Sequence, residues 1–160
     1  MQFTQSISYP GTVDEVVAMY LTPDYLERRF GRFVVEGSQA VSVEGERVSF
    51  AGTVRPELIP AAAARFVKPD LRIAFTEEWT TNEAGATSRT SVTVDGAPVS
   101  VEAASTLASA EAGCTHDVTG NVSVRVPLLG GRIEKEAVAH LGRVVEREQE
   151  LAAAWLEEHR

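Results

Sequence analysis

The first thirty residues show a hydrophobic pattern that predicts one strand followed by two short helices. Apolar and polar side chains alternate over residues 3–9, the period of two of a strand with one buried face. Residues 12–15, Thr-Val-Asp-Glu, fit a capping box, in which the threonine and the glutamate bond the free amide groups of a starting helix. Pro23 suits the first turn of a second helix, and Gly31 is a suitable end for it.

The middle of the chain returns to a period of two and predicts about six antiparallel strands. Their separators, at residues 82–85, 95–98 and 111–113, are short and turn-like, and short connections join antiparallel neighbours. The alternating positions lie at residues 33–35, 41–43 and 48–54, with a hairpin turn expected at residues 44–46. Residues 56–69 interrupt the pattern, and residues 60–66 within them are expected to form one or two helical turns. Strands resume over residues 71–80, 87–94, 99–107 and 115–126.

The C-terminal part of the chain predicts one long amphipathic helix over residues 129–158, because strong helix formers dominate and apolar positions recur in steps of three and four. At 1.5 Å per residue such a helix is about 45 Å long. Its apolar face needs a broad partner, and the sheet is the one available. The predicted class is therefore α+β, with the sheet packed on the C-terminal helix. The apolar stripe consists of Ala137, Leu141, Val144, Leu151, Ala152 and Trp155.

Length and charge restrict the classes of function. The chain has 160 residues, which suits a single domain spanning residues 1–160. Its formal net charge of −8 repels phosphate backbones, so we expect no nucleic-acid partner. Arg28, Arg29 and Arg32 form the densest basic group, which we interpret as a solvated helix end. The sequence does not indicate an oligomeric state.

The sequence has no feature that predicts passage into or across a membrane. It contains no run of about 20 apolar residues, the length that a membrane-spanning helix requires. Residues 1–6 lack the positive charge and the apolar block of a signal peptide. One cysteine, Cys114, excludes an internal disulfide. We therefore expect a cytoplasmic protein without integral membrane association.

Familiar catalytic and cofactor motifs are missing. The sequence has no P-loop, GxGxxG, HExxH or GxSxG motif, and we expect no cofactor and no dedicated catalytic residue. Gly130-Gly131 lacks the lysine of a phosphate-binding loop and is interpreted as a tight turn. Cys114 and the three histidines do not show metal-ligand spacing, so we expect no metal site.

Three short segments resemble a known superfamily. Residues 58–60 (Leu-Ile-Pro), 76–79 (Thr-Glu-Glu-Trp) and 126–134 (Val-Pro-Leu-Leu-Gly-Gly-Arg-Ile-Glu) look like those of an uncharacterised bacterial branch of the START-like superfamily. The order of elements is similar too, over essentially the whole chain. This superfamily, with the helix-grip fold, includes lipid-transfer domains, polyketide cyclases and birch-pollen-allergen-like proteins. The resemblance implies a curved sheet gripping the long helix around an apolar cavity, without implying a particular ligand.

Three polar residues interrupt faces that should be apolar. Glu77 shares a strand face with apolar and aromatic residues, Glu148 lies near the middle of the stripe of the last helix, and His116 alternates with valines. Buried carboxylates need partners or water, and a few polar groups in an apolar pocket are typical of a ligand site. Alternatively, a strand bulge turns Glu77 outward, Glu148 extends beyond the sheet, and His116 is an ordinary strand-end residue.

These observations favour binding or carriage of a small apolar molecule, lipid-like or polyketide-like, between the sheet and the C-terminal helix. One alternative is a cyclase-, aromatase- or hydrolase-like enzyme that uses the cavity carboxylates or the histidine as acid or base. Another is an interaction domain without a ligand. Separately from these functional alternatives, plain core packing is the alternative to ligand contact for Phe50, Phe75 and Trp79. The predicted ligand-binding residues are Phe50, Phe75, Glu77, Trp79, His116, Leu141, Val144 and Glu148.

Overall fold

Seven antiparallel strands form one curved sheet in the computed structural model, which describes residues 1–61 and 63–160. The strands are β1 (Gln2–Tyr9), β2 (Ala40–Glu44), β3 (Arg47–Thr53), β4 (Arg72–Asn82), β5 (Gly85–Asp95), β6 (Val99–Ala110) and β7 (Gly113–Val124). Their order across the sheet is β1-β7-β6-β5-β4-β3-β2. The first strand therefore pairs with the last one, and all other neighbours are joined in sequence.

Among the residues that the structure describes, three α-helices accompany the sheet: α1 (Val13–Tyr20), α2 (Pro23–Phe30) and α3 (Gly130–Glu158). The capping box of α1 is confirmed, because Glu15 N donates to Thr12 Oγ1 and Thr12 N donates to Glu15 Oε1, both at 3.1 Å. The long helix α3 packs against β1 and β7, which confirms the predicted α+β fold. Within the described residues, no helix is both long and apolar enough to cross a membrane.

The segment between α2 and β2 differs from the prediction. Residues Gly31–Phe33 form a 3₁₀ turn rather than the start of a strand, and Val34 makes one isolated bridge to Val54. The side chain of Val34 is buried over Gly52, where a Cβ atom would lie 2.7 Å from it. Val34 thus fills the space that the missing side chain of Gly52 leaves, and the next strand begins only at Ala40.

The interruption between β3 and β4 contains short 3₁₀ turns at Pro56–Leu58 and Ala64–Phe66. This agrees with the helical turns expected over residues 60–66, although position 62 lies outside the described residues. Gly130 is the first residue of α3, and a Cβ atom there would collide with the carbonyl oxygen of Val124. Glycine thus lets α3 begin directly against the end of β7.

The two halves of α3 are packed differently. In the C-terminal half, Ala152, Trp155 and Leu156 are buried against the sheet and α1. In the middle, Leu141 is only half-buried, and Val144 is 45% exposed. The apolar stripe that predicted this helix therefore continues past the region where it is covered. The burial expected of Trp155 is confirmed, and that expected of Leu141 is corrected to partial burial.

We predict unequal costs for truncating these two side chains. Trp155→Ala should lower the free energy of unfolding by ~3–5 kcal/mol, because the large side chain is buried and would leave a cavity. Leu141→Ala should cost less than ~2 kcal/mol, because its side chain already faces an open pocket. Urea denaturation of the two variants measures both values. Equal losses would contradict the described packing of α3.

Candidate functional site

One arginine lies between two carboxylates that come from different parts of the fold. Arg29 Nε on α2 is 3.0 Å from Glu148 Oε1 on α3, and Arg29 Nη1 is 3.9 Å from Glu77 Oε1 on β4. Glu77 is 3% exposed and Glu148 is 8% exposed. Burial alone would lower the pKa of Arg29, but the carboxylate of Glu148, with smaller contributions from Tyr20 and Glu77, raises it above its usual value. The guanidinium therefore stays charged and joins α2, α3 and the sheet.

A tyrosine cluster completes the surroundings of Glu148. The hydroxyl groups of Tyr20 and Tyr25 each donate to Glu148 Oε1 at 3.1 Å. Tyr9, from β1, forms a hydrogen bond with the hydroxyl of Tyr20. Burial, helped by the negative charge of Glu148, raises the pKa of Tyr9 and Tyr25. Burial raises the pKa of Tyr20 as well, so all three phenols are neutral. Tyr20 and Tyr25 donate to the buried carboxylate, and Tyr9 donates to the hydroxyl of Tyr20.

The second carboxylate is held by the sheet itself. Trp79 Nε1 donates to Glu77 Oε1 and Thr90 Oγ1 donates to Glu77 Oε2, each at 2.9 Å. Glu77 thus points inward, as the alternation along β4 predicts, rather than outward through a bulge. Both of its oxygens are satisfied, which a carboxylate at this depth requires.

Aromatic rings surround the guanidinium of Arg29. Its central carbon lies 4.8 Å from the ring centre of Tyr20, 4.9 Å from that of Phe30 and 5.4 Å from that of Phe75. A cation over the face of an aromatic ring is attracted by the ring's quadrupole, and the attraction grows where water is excluded. These rings compensate part of the solvation that Arg29 loses.

His116 lies beside this network without joining it. The residue is 4% exposed, and neither ring nitrogen has a hydrogen-bond partner among the described residues. Its ring centre is 5.6 Å from that of Trp79 and 5.8 Å from that of Tyr20. Burial, with a further contribution from the nearby positive charge of Arg29, lowers the pKa of His116 to about 4. The imidazole is therefore neutral at neutral pH.

A pocket of about 190 Å³ opens beside this network, between α3, the first and last strands, and the turn after α2. Most of its lining is apolar, while Arg29 and Glu148 form the polar part of its inner wall. The buried ion pair thus reaches the pocket. The lining residues are Phe3, Gln5, Ile7, Arg29, Phe30, Arg32, Phe33, Val118, Leu141, Val144, Val145, Arg147, Glu148 and Leu151.

Three of the predicted ligand-binding residues, Leu141, Val144 and Glu148, line this pocket. Phe50 and Phe75 lie one layer deeper, behind Phe30, with ring centres 5.2 and 4.6 Å from its own.

The other three predicted residues, Glu77, Trp79 and His116, are buried in the interior around Tyr20. The three polar residues that interrupt apolar faces in the sequence therefore lie in one region around Tyr20, namely Glu77, His116 and Glu148. The pocket itself lies nearer to β1 and β7 than to β3 and β4, and in the described residues Phe50, Phe75 and Trp79 are packed among neighbouring side chains.

Arg29 was missed as a site residue, because the basic group around it was interpreted as a solvated helix end. That interpretation holds for the exposed Arg28 and Arg32 but is wrong for Arg29. A signal was present in the spacing: Arg29 follows the buried Tyr25 by four residues and the buried Leu26 by three. These intervals place it on the buried face of α2.

A curved antiparallel sheet that grips a long C-terminal helix, with two short helices after the first strand, defines the START-like helix-grip fold. Solved structures share it over most of their length. Norcoclaurine synthase from Thalictrum flavum, in complex with dopamine and hydroxybenzaldehyde, aligns with a TM-score of 0.61 and 11% identity, covering 100% of this chain and 88% of its own. A STAR-related lipid transfer protein from Xanthomonas axonopodis aligns with a TM-score of 0.56 and 13% identity, covering 91% and 84%. At these identities the likeness shows the fold alone.

The chain belongs to the family described as "Protein of unknown function (DUF2505)", which matches residues 4–156. Similar proteins occur in mycobacteria. An uncharacterized protein of Mycobacterium tuberculosis is 26% identical over 168 residues, covering 96% of this chain and 95% of its own length. A protein of Mycobacterium bovis shows the same identity and coverage. The similarity extends over nearly the whole chain.

We predict that removing Glu148 destabilises the protein strongly. Glu148→Ala leaves the largely buried Arg29 without its nearest carboxylate and should cost ~3–5 kcal/mol of unfolding free energy. Glu158→Ala is the control, because it breaks the surface pair with Arg28 and should leave the urea midpoint essentially unchanged. Similar midpoints for both variants would show that the buried ion pair is not a structural link.

A second prediction concerns how strongly the free energy of unfolding falls at acid pH because of His116. Its pKa of about 4 in the folded protein lies below the ordinary value of 6.5, so the unfolded chain binds the proton more readily. The contribution of the neutral imidazole to the free energy of unfolding is fully present above the pKa of His116 in the unfolded chain. It falls by roughly 3 kcal/mol as the pH approaches the folded value. Between about pH 7 and pH 4, the unaltered protein should therefore lose more unfolding free energy than His116→Phe. Parallel curves in urea titrations would contradict this prediction.

Proposed function

We propose that the protein binds or carries a small, mainly apolar molecule in the pocket beside the buried ion pair. The observation that carries this proposal is the pocket itself, which lies between α3 and the sheet with mostly apolar walls. Apolar surface left in contact with water costs free energy, and a ligand that covers it recovers that cost. The half-exposed Leu141 and the 45% exposed Val144 are side chains that such a ligand would cover.

The size of the pocket limits the part of the ligand that can enter. An apolar cavity of ~150 Å³ accommodates a benzene molecule. A pocket of about 190 Å³ therefore suits one ring system or a short stretch of alkyl chain. Because the pocket is open on one side, the remainder of a longer ligand can extend over α3 and the turn after α2.

Glu148 and Arg29 supply the polar contacts that would orient the ligand, because both line the pocket. Glu77 and His116 act one layer deeper in this proposal, since they surround Arg29 and Tyr20 rather than the opening. The fold supports the proposal as well, because the similar structures include a lipid transfer protein and a synthase in complex with small aromatic molecules.

The contacts of Glu148 favour binding over acid–base catalysis. Its Oε1 atom is already shared by Arg29 and by the hydroxyls of Tyr20 and Tyr25. Three donors on one oxygen occupy that atom and hold the carboxylate in place. A general acid or base must instead exchange its proton with the substrate during the reaction.

The test uses phenylnaphthylamine, an uncharged dye that fluoresces strongly in apolar sites. We expect it to bind the unaltered protein and to raise the melting temperature. Val144→Trp should place a bulky side chain in the pocket and weaken dye binding by about tenfold, which corresponds to ~1.4 kcal/mol. Ala139→Trp is the matched control, because it adds the same side chain at an exposed position of α3.

Two results would contradict the proposed function. One is that the dye neither fluoresces nor changes the melting temperature in the presence of the unaltered protein. The other is that Val144→Trp and Ala139→Trp bind the dye with the affinity of the unaltered protein, which would place the bound dye outside the pocket.

A further inference from the structure

The pocket is positively charged, although the protein as a whole is acidic. Its lining contains three arginines, Arg29, Arg32 and Arg147, and one carboxylate, Glu148. The lining therefore carries a formal charge of +2, whereas the whole chain carries −8. A local charge opposite to that of the chain is a sign that the site attracts a ligand of a particular charge.

The two outer arginines face the same opening from different elements. Arg32 belongs to the 3₁₀ turn after α2, Arg147 belongs to the middle of α3, and both are exposed. Within the described residues, neither of them forms an ion pair. Partial burial and the charge of Arg147 lower the pKa of Arg32. The two guanidinium groups thus repel each other, and an anion placed at the mouth would relieve that repulsion.

Arg29 differs from this pair. Its guanidinium is already engaged by Glu148 at 3.0 Å and by Glu77 at 3.9 Å. Its charge is therefore compensated inside the protein, and the uncompensated positive charge lies at the mouth. The site therefore has a mostly apolar inner wall, in which Arg29 and Glu148 form a compensated ion pair, and a cationic rim formed by Arg32 and Arg147.

We propose that the ligand is an anionic amphiphile, whose carboxylate, sulfonate or phosphate group is held by Arg32 and Arg147 while its apolar part occupies the pocket. This inference rests on the proposed function and specifies the chemical class of the ligand. Arginine is suited to the role, because its planar guanidinium forms paired, charge-assisted hydrogen bonds with such groups. Phe33 supports one side of this site, since the Arg32 guanidinium lies 4.4 Å from its ring centre.

The experiment compares two dyes that share one ring system. Anilinonaphthalene sulfonate carries a negative charge, and phenylnaphthylamine is the same molecule without the sulfonate. We expect the unaltered protein to bind the sulfonate at least about tenfold more tightly at low salt, and added salt to reduce this advantage. Salt should leave the affinity for phenylnaphthylamine nearly unchanged.

Substitutions of Arg32 and Arg147 test whether these two residues cause the preference for the sulfonate dye. Arg32→Gln, Arg147→Gln and the double variant should weaken sulfonate binding, the double variant by about tenfold or more, while phenylnaphthylamine binding stays within about twofold. Arg143→Gln removes the same charge from an exposed position one turn earlier on α3 and should change neither affinity. Melting temperatures check that all variants are folded.

Displacement of the bound sulfonate distinguishes two sources of the anionic group. Displacement by dissolved decanoate would point to a free amphiphilic acid, and displacement by phosphatidylglycerol vesicles would point to a membrane lipid. Displacement by either supports the inference, and displacement by neither contradicts it.

The outcomes separate this inference from the proposed function. Equal affinities of the unaltered protein for both dyes, or equal losses of both in the rim variants, would overturn the anionic specificity and leave the pocket as a binding site. Failure of both dyes to bind the unaltered protein would overturn the proposed function together with this inference.

Discussion

The rest of the structure depends on the placement of one charged guanidinium inside the fold. Arg29 is carried by α2, and its two carboxylate partners come from β4 and α3. Removing a charge from water is expensive unless partners and hydrogen bonds replace the lost solvation together. The cost is therefore met only when both helices and the sheet are in their final positions. The ion pair thereby links α2 and α3 to each other and to the sheet.

Two carboxylates around one arginine leave an excess of negative charge, which explains the neutral donors around them. Tyr20 and Tyr25 donate to Glu148, while Trp79 and Thr90 donate to Glu77. Each of these bonds replaces part of the solvation that its buried carboxylate has lost. The aromatic side chains thus have two roles, because their rings form the apolar core and their polar atoms stabilise the buried charges.

The local pattern of the chain predicts its elements well, and the site only in part. The last helix was expected over residues 129–158 and is observed over Gly130–Glu158, because helix formers and apolar spacing act locally. Glu77 and Glu148 were recognised because each interrupts an apolar face. Arg29 was not, since arginine on a short helix is normally solvated and its partners are distant in sequence. The position of the pocket was also beyond prediction, because periodicity shows which face of a helix is apolar but not how closely the sheet covers it.

Glu148 marks the point where the packing of α3 changes. After it, Ala152 and Trp155 are buried against the sheet; before it, Leu141 and Val144 face the pocket. A closely packed apolar pair at the position of Arg29 and Glu148 would let the turn after α2 approach the middle of α3. Hydrophobic replacements of buried ion pairs are often more stable than the pairs themselves, so stability alone does not require charges at this position. The ion pair instead places two long charged side chains, Arg29 and Glu148, between α2 and α3. The pocket beside it is lined mostly by apolar side chains, so the network that links α2, α3 and the sheet also forms one wall of the pocket.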